Sequence, residues 1–271
     1  MEDHGYNRYS GSWREQRGAE TGGLMSERLC AIAIMAKESV AGSVKTRLVP
    51  PLTNLEAAEL NSCFLSDVAA NLVAAADRVP IHGFVAFYPP GSEPFFRDLL
   101  PDGFKLLPPK EPTLGRSLFH AARDLFAAGY GSVCLINADS PSLPTDLLVD
   151  AVRWLEKPGD RVVLGPANDG GYYLIGLKQF HRRLFEEIDW STEHVYRQTV
   201  ARAAEIGLTV APLREWYDVD DAESLLVLGR ELGFGRAAAA SAYRGGFAAP
   251  QTAALLDRLA ATNRLVRALL D

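Results

Sequence analysis

The familiar glycine-rich phosphate signatures are missing from this chain. G-x-x-x-x-G-K-[ST] does not occur, which excludes a P-loop, and no G-x-G-x-x-G follows an apolar strand, which excludes the dinucleotide fingerprint. Cysteine is scarce. Cys30, Cys63 and Cys134 form no C-x-x-C pair, so they read as reduced, buried thiols of a cytoplasmic protein rather than a disulfide or metal framework. The five histidines are scattered without metal-ligand spacing. No apolar run approaches the ~20 residues that span a bilayer, and the N-terminus lacks a signal-peptide core. Nor is there an excess of basic charge. The net charge of −6 argues against general nucleic-acid binding and against an anionic membrane surface. Small anionic ligands stay open, because a local cationic loop can hold a phosphate in an acidic protein.

What is present suits a globular α/β protein. The 271 residues are 48% apolar and 23% charged, enough for one large domain or two small ones, with no internal repeat. Residues 1–24, rich in Gly, Ser, Glu and Arg, read as a disordered tail, and Met25 is a candidate start. Apolar runs predict strands at 31–36, 81–88, 104–107, 133–137, 161–164, 172–177 and 208–213. Helices are predicted between them: 54–76, with Thr53 or Asn54 as cap and Glu56 in its first turn, then 93–100, 117–128, 144–156, 178–185, 193–206 and one ending near 232. This alternation implies a mainly parallel, twisted sheet with helices on both faces. After 234 the composition shifts to a flexible link, then to an amphipathic helix marked by Ala253, Leu256, Leu259, Val266 and Leu270. Such a helix packs on its own domain or, alternatively, makes a homodimer contact.

In such sheets ligands bind outside the carboxyl ends of the strands. Four polar turns follow strands there. The first, after A-I-A-I-M-A-K, holds Gly42, Lys45 and Arg47, where a close backbone and two cations can cradle phosphates; the plain alternative is a surface loop with solvated cations. The second, N-A-D-S-P, puts Asp139 at a strand end, where it holds a divalent metal or merely caps a turn. The third, N-D-G-G-Y-Y, carries Asp169, Gly170 and Gly171, a ligand-lined turn or a plain hairpin. The fourth, D-V-D-D, holds Asp218 and Asp220, which we expect to face opposite ways, so that one joins Asp139; Asp220 or Asp221 can instead cap the following helix. Leu114 and Gly115, in T-L-G-R ahead of a helix, can read a nucleobase edge or simply start the helix. Trp190 walls a pocket or joins the core, and Ser191 or Thr192 after it is the expected helix cap.

Taken in order, M-A-K-E-S-V-A-G-S-V-K-T-R-L, N-A-D-S-P-S-L-P, G-P-A-N-D-G-G-Y-Y-L-I-G-L, I-D-W-S-T-E-H-V and D-V-D-D resemble a bacterial family of provisionally assigned GT-A-fold glycosyltransferases. That family is described alongside radical-SAM and selenium-domain proteins and arsenosugar synthesis, and it is related in fold to cofactor guanylyltransferases. The resemblance covers 29–233 and implies three parts: a tail at 1–28, a GT-A-like nucleotide-dependent transferase domain at 29–233, and a linker with a C-terminal helix at 234–271. It implies that Ala36, Lys37, Gly42, Lys45, Arg47, Leu114, Gly115 and Asp139 contact the nucleotide. It implies that Asp139 and Asp220 hold Mg²⁺ or Mn²⁺, and that Asp169, Gly170, Gly171 and Trp190 line the sugar or acceptor side. The chain departs from the D-x-D of many glycosyltransferases, since Asn137 holds the first position.

Three functions follow as expectations. The first is a metal-dependent glycosyltransferase with a nucleotide-sugar donor and a small-molecule acceptor, in which Lys45 and Arg47 stabilise the leaving diphosphate and Asp169 is the base. The second is a nucleotidyltransferase acting on a phosphorylated small molecule. The third is a nucleotide-binding protein without catalysis.

Overall fold

A computed structural model of the chain describes residues 29–108, 113–234 and 243–270. The expected tail at 1–28 lies outside these residues, as does most of the link expected after 234. Seven strands form one sheet: β1 Cys30–Lys37, β2 Ile81–Tyr88, β3 Lys105–Leu107, β4 Ser132–Asn137, β5 Arg161–Pro166, β6 Tyr172–Leu177 and β7 Thr209–Pro212. Their spatial order is β3-β2-β1-β4-β6-β5-β7. All neighbours pair in parallel except at β6, which runs antiparallel to both β4 and β5. The fold class expected from the sequence is therefore correct.

Strand β1 shows why helices cover both faces. Ile32 and Ile34 enter one core with helix α1 (Asn54–Ala76), while Ala31 and Ala33 enter a second core on the opposite face. All four are fully buried, as the near-continuous apolar run requires. Further helices are α2 (Glu93–Leu99), α3 (Leu114–Ala127), α4 (Thr145–Glu156), α5 (Val195–Glu205) and α6 (Ala222–Glu231). The start of α1 follows its sequence signal. Thr53 accepts from the Glu56 N–H, and Glu56 accepts from the Thr53 N–H, a reciprocal cap.

Three expectations need correction. Helix α3 begins at Leu114, three residues before the expected start, so Leu114 and Gly115 lie in its first turn rather than ahead of it. Between 178 and 185 there is only a 3₁₀ turn, Arg182–Phe185. Finally, the single C-terminal helix is two, α7 (Pro250–Thr262) and α8 (Arg264–Leu270). They break at Asn263, whose side-chain oxygen accepts from the N–H groups of Leu265 and Val266 and so caps α8. Its amide also donates to Pro51 O and to the Glu56 carboxylate, pinning the break to the start of α1.

Helix α7 packs on α1 with Leu255, Leu256 and Leu259 in the main core. Its N-terminus is held by Asp67 of α1, buried, which accepts from Gln251 N at 3.0 Å and Thr252 N at 2.8 Å. Burial raises the Asp67 pKa against the opposing pull of these N–H groups. Replacing Asp67 by alanine strands those donors, and the expected loss is about 1–3 kcal/mol in urea unfolding.

Candidate active site

Because only β6 is reversed, the carboxyl ends of β1, β4, β5 and β7 share one edge with the start of β6. The four polar turns meet there. Backbone bonds tie them: Val219 N donates to Asp139 O at 2.9 Å, and Asn168 N to Trp216 O at 3.1 Å.

At their meeting point lies the ammonium of Lys45. Its side chain is 4% exposed, and it donates to Val219 O at 2.7 Å, to Asp220 Oδ1 at 3.0 Å and to Asp139 Oδ1. The Phe64 ring lies 5.2 Å from the same nitrogen. Burial works against the charge, but the two carboxylates outweigh it and leave the Lys45 pKa above its ordinary value. Lys45 adopts a left-handed backbone, φ 50°, a conformation that costs a non-glycine residue about 1 kcal/mol. Arg47 is largely exposed and donates to the other oxygen of Asp220 at 2.6 Å. Gly42, at φ +79°, turns the loop that carries both cations.

Two cavities open on either side. The larger, about 690 Å³, lies over the ends of β1 and β2 and the first turns of α3. It gathers Ala36, Lys37, Lys45, Leu114, Asp139 and Trp190 of the predicted set. Gly115 stands behind this wall rather than in it: a Cβ there would sit 2.1 Å from the Trp190 indole nitrogen, so the glycine makes room for the ring. Ser117, His120 and Asp124 also line the cavity and were missed. Their i, i+3, i+7 spacing on one face of α3 was the available signal.

The smaller cavity, about 270 Å³, holds Arg47, Asp169, Asp218 and Asp220, with Tyr217 and Tyr243 as aromatic walls. Asp220 borders both cavities. Asp169 Oδ1 accepts from Gly171 N at 2.8 Å, and Gly170, at φ +88°, passes so close to Glu193 O that a Cβ would lie 2.3 Å from it. Trp190 thus sits in the first cavity with Lys45 and Asp139, while Asp169 sits in the second. Neither Ser191 nor Thr192 caps α5, whose N-cap is His194; Ser191 is left-handed at φ 63°, and Thr192 Oγ1 binds the turn itself by donating to Asp189 O.

Asp218 and Asp220 do not face opposite ways. Residues two apart in an extended segment share a side, and both border the second cavity. Their partners differ. Asp218 Oδ1 accepts from Asn137 Nδ2 at 2.7 Å and Ser140 Oγ at 2.5 Å. Asn137, at the D-x-D position, therefore orients a carboxylate instead of supplying one. Burial above all, then the charges of Asp139 and Asp169, push the Asp218 pKa up to about 7, against the pull of the Ser140 and Asn137 hydrogen bonds.

Two predictions follow from this geometry. An aspartate ordinarily titrates near 3.8, so between that pH and about 7 the folded chain binds more protons than the unfolded one. Asp218 thus makes the fold more stable as pH falls from about 7 towards 4, and that gain is lost as pH rises again. Asp218→Asn keeps an oxygen for both donors and should show a smaller fall in urea midpoint from pH 5 to 7.5 than the unsubstituted chain. Gly115→Ala forces Trp190 to move and should cost about 1–3 kcal/mol, read in the same unfolding assay.

Comparison with known proteins places this geometry in a family. Residues 71–192 match the family described as "Uncharacterized protein conserved in bacteria (DUF2064)". No curated protein matches the sequence. Among solved structures, a provisionally assigned nucleotide-diphospho-sugar transferase from Desulfovibrio desulfuricans G20 is 31% identical, with a TM-score of 0.72 over 90% of this chain and 99% of that one. A Pyrobaculum calidifontis mannosyltransferase, solved with GDP-Man and Mn²⁺, shares 17% identity at TM-score 0.42, over 90% of this chain and 78% of that one. A cytidylyltransferase from Leptospira borgpetersenii shares 10% at TM-score 0.46, over 88% and 96%. Among the described residues, no helix is long and apolar enough to cross a membrane. With its fold and nearly the whole length of the Desulfovibrio protein matched, the chain belongs to the bacterial DUF2064 family and is a transferase of the nucleotide-diphospho-sugar transferase fold.

Proposed function

We propose that the protein is a metal-assisted glycosyltransferase that takes a nucleotide-sugar in the larger cavity and a small hydroxyl-bearing acceptor in the smaller one. The observation that carries this reading is the Lys45–Asp139–Asp220 cluster standing where the two cavities meet. The larger cavity is within the ~300–1,000 Å³ range of small-molecule sites. Lys37 lines it without an ion-pair partner among the described residues, so its charge is available to a phosphate.

The residues fit a divalent cation. Asp139 and Asp220 converge on a single cationic point, and their hard oxygen donors suit Mg²⁺ or Mn²⁺. Among the described residues no three His, Cys, Asp or Glu side chains gather into a metal group. Two carboxylates with substrate phosphates completing the shell is the usual arrangement for Mg²⁺. When bound, the ion supplies charge neutralisation at the leaving diphosphate.

The chain's own residues do the rest. Lys37, Lys45 and Arg47 bind the phosphates and stabilise charge as the bond from the anomeric carbon to the diphosphate oxygen breaks, the electron pair leaving with the nucleoside diphosphate. Trp190 and Leu114 wall the donor side. The acceptor hydroxyl attacks the anomeric carbon from the second cavity, and Asp169 takes its proton.

Charge separates this reading from nucleotidyl transfer to a phosphorylated acceptor. The second cavity presents Asp169, Asp218, Asp220, Asp221 and Glu223 against one cation, Arg47, already paired with Asp220. An acceptor phosphate placed there meets like charge, while a polyol or a cationic hydroxyl compound meets hydrogen-bond acceptors and two tyrosine rings. The radical-SAM and arsenosugar associations implied by the sequence resemblance bear on the identity of that acceptor.

The test is a thermal-shift screen with Mn²⁺ across nucleoside diphosphates, nucleoside triphosphates and nucleotide-sugars, followed by donor-hydrolysis assays. One nucleotide-sugar and its nucleoside diphosphate should raise Tm, and Asp139→Ala should abolish the shift. Asp169→Asn should keep the shift and lower turnover by about 10²–10⁴-fold. A shift confined to one triphosphate, with pyrophosphate released, would replace glycosyl by nucleotidyl transfer. Shifts without any turnover would leave a binding protein.

A further inference from the structure

Lys45 holds the very point that Asp139 and Asp220 offer to a metal. An ammonium has three protons to donate, and here all three have acceptors: Val219 O, Asp139 Oδ1 and Asp220 Oδ1. Arg47 takes the remaining Asp220 oxygen. Two carboxylates face two cations, so the cluster is balanced without any added ion.

We propose that Lys45 is a tethered counter-cation that keeps free divalent ions out of the Asp139–Asp220 pair, and that nucleotide phosphates draw it away, so that metal and nucleotide enter as one unit. The inference rests on the phosphate-binding role given to Lys45 above, and it adds an order of events that role does not require.

The argument is one of charge and of donors. A divalent ion arriving alone meets a balanced cluster and an ammonium within 3.0 Å of the Asp220 oxygen it needs. A diphosphate arriving alone finds Lys45 with no proton left to give. When both arrive, the diphosphate takes the ammonium and the carboxylates take the ion, and every charge keeps a partner. Such coupling is reciprocal: each ligand strengthens the other's binding by the same factor. The geometry allows the exchange. Lys45 is on the loop between β1 and α1, its side chain lines the larger cavity, and the two carboxylates are 38% and 32% exposed, so they stay hydrated when it leaves.

The test uses Mn²⁺ alone, with no nucleotide or acceptor, and counts free ion by electron paramagnetic resonance. The unsubstituted protein should bind Mn²⁺ weakly. Lys45→Met and Lys45→Gln should each bind it at least about ten-fold more tightly, and adding Asp220→Asn to Lys45→Met should remove the gain. Circular dichroism confirms that each variant is folded. The proposal is overturned if the unsubstituted protein by itself binds free Mn²⁺ tightly, a result that needs no variant, or if the folded Lys45 variants bind it no more tightly than that protein does. It is equally overturned if the gain survives Asp220→Asn. Either failure leaves the glycosyltransferase reading standing, because that reading fails separately, when no nucleotide shifts Tm.

Discussion

An ammonium group buried to 4% exposure must find acceptors or lose its charge, and Lys45 finds them in two other loops. Asp139 follows β4; Val219 and Asp220 follow β7. The β1 loop reaches them with Lys45 in a left-handed conformation, and the strain is offset by three hydrogen bonds to charged or backbone oxygen. The rest of the edge is arranged around that point. The Val219–Asp139 backbone bond fixes the distance between the carboxylates, Phe64 closes the space beneath the ammonium, and α1 begins a few residues after Arg47. Removing the charge would leave two acids with a shared surface and no reason to converge.

Around that point the two cavities differ in lining. The larger sets Lys37 and Lys45 beside Asp124, Asp139 and Asp220, with apolar β-strand residues such as Met35, Ala36 and Ala86. The smaller has a single cation, Arg47, among carboxylates and tyrosines. Burial acts on this second set unequally. Asp218, held by Asn137 and Ser140, keeps its proton to about pH 7, whereas Asp220, bonded to Lys45 and Arg47, has cations on both oxygens. Two aspartates separated by one valine thus have different chemistry, and the difference comes entirely from residues distant in sequence.

That contrast marks where the sequence was legible. Apolar runs located all seven strands, and the Thr53/Glu56 cap located the start of α1, because both signals are local. The gathering of four polar turns at one edge followed from the parallel alternation of strands. Helix α3 was placed late because Thr113 makes no side-chain cap, leaving no local mark at its start. The W-S-T-E stretch misled in the opposite sense: it has the composition of a helix cap, but Trp190 is drawn onto Gly115 and the chain turns at a left-handed Ser191 before α5 begins. The pairing of Lys45 with Asp139 and Asp220 was not legible, since it spans residues 94 to 175 positions apart along the chain.

Asn263 joins the last helices to the first loop of the site through Pro51 O and Glu56. The partners are about 210 residues apart, so during synthesis the early segment waits for the late one. The sheet can order as its strands emerge, all but β5 beside a neighbour already made; β5 waits for β6. The turn between Arg47 and α1 gains its outer clamp only after residue 263 has left the ribosome. In this protein the loop that carries the central cation is made early and secured late, and the C-terminal helices act as its closing stitch.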